Sequence, residues 1–60
     1  MINEKIKAED LETDDIIWVK EFNQPLIVMT VDFTIKGKPI IKFDNEKTLI
    51  FDKRRKFEIM

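Results

Sequence analysis

Ten consecutive residues, Leu26-Ile27-Val28-Met29-Thr30-Val31-Asp32-Phe33-Thr34-Ile35, constrain this chain more than any other feature. Ile27, Met29, Val31, Phe33 and Ile35 share one parity; Leu26, Val28, Thr30, Asp32 and Thr34 share the other. One side is apolar, the other mixed, and β-branched residues are enriched, which is the period of a strand and not of a helix. Shorter apolar runs occupy Asp15–Phe22, Ile40–Phe43, Lys47–Asp52 and Phe57–Ile59. Turn-forming residues separate them. Asn23-Gln24-Pro25 combines a residue tolerant of left-handed dihedrals with one that lacks a ladder donor, and Gly37, the chain's only glycine, sits where a tight reversal needs positive φ. Asp44-Asn45-Glu46 supplies the next turn, and Lys53-Arg54-Arg55 reads as a single 3₁₀ turn.

Strands at this spacing with no long helical pattern predict an all-β meander. A sheet this small needs a second layer over its apolar face. Curling it into a five-stranded, partly open barrel, with the long strand bending across both halves, supplies that layer. The predicted core is Leu11, Ile17, Val19, Ile27, Met29, Val31, Phe33, Ile41, Phe43, Leu49, Phe51, Phe57 and Ile59. All 60 residues then form one domain, with 1–13 as a lead-in. That lead-in either alternates as a short strand (Ile2, Glu4, Ile6, Ala8) or winds into one turn at Ala8–Glu12. A chain of this length buries only about 60% of its unfolded surface, so its margin of stability is small.

Several classes of function lose support from composition. The chain has no histidine, serine, cysteine or tyrosine, so the usual nucleophiles and the proton shuttle that titrates near neutrality are missing. A domain filled by its own core leaves little room for a substrate pocket. The expectation is therefore no enzyme, no cofactor, no metal and no small-molecule substrate. The acidic run Glu9–Asp15 lacks the alternating Asp-x-Asp-x-Asp-Gly spacing of a calcium loop and reads as a solvated face, with one acid capping a turn. No apolar stretch reaches signal-peptide or membrane-spanning length, so a cytoplasmic protein is expected, with no membrane partner.

Charge is unevenly placed along the chain. Residues 1–30 hold three lysines and seven acids, a net of −4; residues 31–60 hold eight bases and five acids, a net of +3. Two candidate surfaces follow. If Ile17 and Val19 face inward, Trp18 faces outward, and Ile16, Trp18, Val28, Ile40 and Ile50 form an exposed apolar patch of the kind that marks a protein partner or a second copy of the chain. The competing explanation is inverted parity, or residues 1–8 folding over the patch. The second surface is Lys53, Arg54, Arg55 and Lys56, suited to phosphates of RNA or DNA. Its competing explanation is a charged turn that keeps an edge strand from pairing with neighbours.

Asp14-Asp15-Ile16-Ile17-Trp18-Val19-Lys20 resembles the Gly-Asp-x-Val-x-Leu/Val-Lys opening of SH3-like small barrels, and is most similar to that of the uncharacterised bacterial YodC-like proteins. Pro25 followed by Met29-Thr30-Val31 resembles that family's Pro and Met-Thr-Val strand, and Phe43-Asp44-Asn45-Glu46 its Phe-Asp-Gly-x turn. The resemblance spans residues 11–52. The family's opening glycine is Asp14 here, and the interval from Pro25 to Met29 is longer. The resemblance implies an SH3-like barrel and no assigned activity. The function expected from the whole sequence is a non-catalytic protein-binding or self-associating module. The alternative is a weak RNA- or DNA-binding barrel using residues 53–56. A third reading, an acidic phage-type mimic of nucleic-acid charge, rests on the acidic run alone.

Overall fold

A computed structural model describes residues 4–60; the part of the lead-in before Glu4, Ile2 included, lies outside the described residues. The fold is all-β. Six strands, β1 (Lys5–Lys7), β2 (Ile16–Val19), β3 (Gln24–Phe33), β4 (Pro39–Phe43), β5 (Thr48–Ile50) and β6 (Lys56–Glu58), are joined by short turns, with one 3₁₀ turn at Ala8–Asp10. Both lead-in alternatives are therefore realised in succession, strand first and turn second. Asp52–Arg55 makes a tight turn closed by the Arg55 amide donating to the Asp52 carbonyl at 2.9 Å.

The strands form two antiparallel sheets, β2-β3-β4-β5 and β1-β6, and not one closed barrel. The sheets meet where Ile17 bridges Ile59, and the Met60 amide donates to the Ile16 carbonyl at 2.8 Å. The expected count of five strands in the partly open barrel is corrected to six, because β1 pairs along β6 (Ile6 opposite Phe57) and the lead-in contributes a strand of its own.

β2 carries the predicted parity: Ile17 and Val19 are fully buried while Ile16 and Trp18 are exposed. Along β3 the prediction fails in its first half. Leu26 and Val28 are buried, whereas Met29 is 47% exposed and Ile27 is half-buried. The register gives the reason. Val28 lies opposite Phe43 and Thr30 opposite Lys42, so Met29 is an extra residue, a β-bulge. Before the bulge even-numbered residues face the core; after it odd-numbered ones do, and Val31 lies opposite the buried Ile41. A period-2 reading carried through the bulge assigns one half of the strand to the wrong face. Phe33, opposite Pro39, shares the inner parity but is 52% exposed, because the core ends there. Ile59, also predicted inside, is 41% exposed.

The core is Ala8, Leu11, Ile17, Val19, Leu26, Val28, Ile41, Phe43, Phe51 and Phe57, with Leu49 and Val31 packed at its margin. Four phenylalanines cross it edge to face: Phe22 on Phe43 at 6.3 Å, Phe43 on Phe51 at 6.2 Å and Phe51 on Phe57 at 4.9 Å. Such pairs contribute about 0.5–1.5 kcal/mol each beyond the area they bury. The turns use left-handed backbone where expected, at Gly37 (φ 84°) and Asn23 (φ 52°), and also at Glu46 (φ 67°) and Asp14 (φ 78°). The acidic run is held by hydrogen bonds. The Asp15 carboxylate accepts from the Glu12 amide at 2.8 Å, and the Asp14 amide donates to the Val28 carbonyl at 2.8 Å.

Candidate functional site

The apolar patch expected on the outer face is only partly assembled. Ile16 (43% exposed) stands opposite Ile27, and Trp18 (36%) opposite Pro25. Ile40 lies directly opposite Ile50, which is 60% exposed. Between these two groups runs the polar row Thr30-Lys42-Thr48. Val28 belongs to neither group; it is fully buried, because the bulge places it on the core side. The five-residue patch is thus corrected to two separate apolar pairs.

The basic cluster is divided as well. Arg55 is turned into the protein: its guanidinium grips the Glu21 carboxylate through two hydrogen bonds, 2.5 and 2.8 Å, and lies over the rings of Phe57 (4.7 Å) and Phe51 (5.1 Å). A planar fork paired to a carboxylate and stacked on aromatic faces is an arrangement arginine suits and lysine does not. The hydrogen bond from Arg55 holds the Glu21 carboxyl down to about 2, from an ordinary 4.5, and the guanidinium is raised in turn. Arg55 is therefore not a free phosphate ligand. Lys53 and Arg54 face another way, lining a depression of about 250 Å³ with Lys36, Lys38 and Asp52. Of the four, Arg55 and Lys56 stand near the tryptophan, and Arg55 is already paired with Glu21.

What the structure builds around Trp18 comes from three strands. β6 lies between β1 and β2, and the Ile17–Ile59 bridge fixes the register. Trp18 and Lys20 face one depression together with Glu58, which is itself opposite Lys5, and with Lys56, which is opposite Lys7, so the outward side chains fall in two rows. The row between them, Val19-Phe57-Ile6, points inward. Trp18, Lys5, Lys20 and Lys56, with Arg55 and Phe57 beneath and Glu58 at one side, line a depression of about 160 Å³. The four lysines of the two outer rows are exposed, and Glu58 is the one acid among them. Residues 4–8 do not cover the indole: β1 lies along the far edge of β6.

Sequence reasoning found Trp18 and Lys56 separately, and it missed Lys5, Lys7 and Lys20 as their neighbours. Each of these lysines holds outward parity beside an inward residue (Ile6, Val19), which was a readable signal. The pairing of β1 with β6 was not. Among the described residues there is no cluster of side chains suited to hold a metal ion, and no helix long and apolar enough to cross a membrane. Compared with protein-family models, with curated proteins and with solved structures, the chain matches none of them.

Proposed function

We propose that this chain is a non-catalytic binding module of the cytoplasm, folded as an SH3-like, partly open barrel akin to the YodC-like proteins, whose contact surface centres on Trp18. The barrel reading is supported by the bulged ten-residue β3, the tight turn between β5 and β6, and the contact of β6 with β2 at Ile17–Ile59. The observation that carries the functional reading is the exposed indole, 36% accessible, lining a depression whose other exposed side chains are charged. Large aromatic groups left at a surface are over-represented where partners dock.

A protein partner, or a second copy of the chain, would use Ile16 and Trp18 together, since Ile40 and Ile50 lie apart from them. The lysines beside Trp18 favour the alternative, a nucleic-acid partner, with its cations relocated from residues 53–56 to Lys5, Lys20 and Lys56. The module reading requires the indole to be a surface group. Trp18→Ala is therefore expected to lower unfolding stability in urea by less than about 1 kcal/mol, as surface substitutions do. A loss of about 3–5 kcal/mol, typical of a truncated core aromatic, overturns the reading.

A further inference from the structure

We propose that the Trp18 depression binds single-stranded nucleic acid, with one unpaired base stacked on the indole and its flanking phosphates held by Lys5, Lys20 and Lys56. The inference rests on the reading of Trp18 as a surface contact group, and it assigns that surface a ligand chemistry. The cations come from β1, from β6 and from the residue after β2, and they gather on the β6 side of the indole, away from Pro25, with Glu58 the one acid among them. The depression is lined mainly by polar surface, which suits a charged chain better than an apolar side chain. Lys20 and Lys56, both at the depression, are exposed and form no ion pair among the described residues, so their charge is available. Arg55 is spent on Glu21, and its stacked guanidinium holds Phe57 and the floor of the site in place.

Single strands are favoured over duplex by geometry. A base can stack on an indole only if its face is free, and base–aromatic stacking tolerates any sequence. A net charge of −1 for the whole chain argues against a long backbone footprint and for a short one of a few phosphates. An acidic peptide would satisfy the lysines but would leave the indole face without a matching planar partner.

The test is titration of the full chain with a short oligothymidylate, read by emission of Trp18, the only tryptophan. Duplex DNA, inorganic polyphosphate and poly-glutamate are titrated alongside. The oligonucleotide is expected to quench the emission saturably. Three neutralised phosphates give a log–log salt slope near −2, so affinity should fall about 20-fold between roughly 50 and 200 mM salt. Trp18→Ala, followed by anisotropy of a labelled oligonucleotide, should weaken binding about 5- to 150-fold. Lys20→Ala with Lys56→Ala, both on exposed positions, should flatten the salt slope while leaving the circular dichroism unchanged. Poly-glutamate or polyphosphate binding as tightly and quenching as strongly as the oligonucleotide overturns the inference but leaves a binding module with another anionic partner. Duplex binding as tightly as single strand removes the stacking role and overturns it too, as does oligonucleotide binding that the lysine variants do not alter.

Discussion

Arg55 stands in a basic run and yet does a structural task. Its two hydrogen bonds donated to the Glu21 carboxylate and its two ring contacts tie the turn after β2 to the aromatic core. Arg55→Ala removes the ion pair and the stacking together, and should cost about 1–2 kcal/mol in urea unfolding. Lys53→Ala or Arg54→Ala, at exposed sites, should change stability by less than about 0.5 kcal/mol. The same pair predicts an acid dependence. The Glu21 carboxyl is depressed in the folded state, so its contribution is fully present above its ordinary 4.5 and is lost as pH falls toward about 2. Glu21 is partly solvated, so the effect is modest, within about 1 kcal/mol. In Glu21→Gln, the drop in stability across that pH interval should be shallower than in the parent chain. Asp14, held at φ 78°, offers a gain. Its amide bond to Val28 is kept by any residue, so Asp14→Gly should relieve a left-handed backbone and raise stability by about 0.5–1 kcal/mol, measured by thermal unfolding.

Among the elements, β3 decides how well the fold can be read from sequence. Its alternation announces a strand without ambiguity, and the half after the bulge faces the way the pattern implies at Val31. Nothing in Leu26–Met29 marks where the extra residue enters, because Ile27 and Met29 are as apolar as Leu26 and Val28. Register with β4 chooses between them, and that is a long-range property. Two truncations separate the alternatives. Val28→Ala should cost about 2–4 kcal/mol through a core cavity, and Met29→Ala less than about 1 kcal/mol. Equal losses, or a reversed order, would return β3 to the unbulged register. β2 was legible as a strand, because Asp15 and Lys20 bracket its apolar run, but apolar residues on both its faces left the parity open, and packing in the core settles it for Ile17 and Val19. β1 was not, since three residues next to Ala8-Glu9-Asp10 serve strand and turn equally well until β6 arrives to pair with them.

Across the whole molecule, chain order and spatial order part company at the candidate site. The basic run 53–56 is contiguous in sequence but is dispersed by the turn at Asp52–Arg55, which sends Lys53 and Arg54 toward Lys36 and Lys38, Arg55 into Glu21, and Lys56 toward Trp18. Conversely, Lys5, Lys20 and Lys56 are far apart in sequence and are gathered by the order β1-β6-β2. Composition could show that few catalytic groups exist. It could not show that an exposed aromatic would stand beside three lysines in a chain whose net charge is negative. The central claim, an accessible indole in a locally positive field, is tested most directly by quenching native Trp18 emission with iodide and with caesium at low ionic strength. The account predicts a red-shifted emission, quenching by iodide well above that by caesium, and a difference that shrinks with added inert salt and in the Lys20→Ala, Lys56→Ala variant. Blue-shifted emission that neither ion quenches, or caesium quenching as strong as that by iodide, would contradict it.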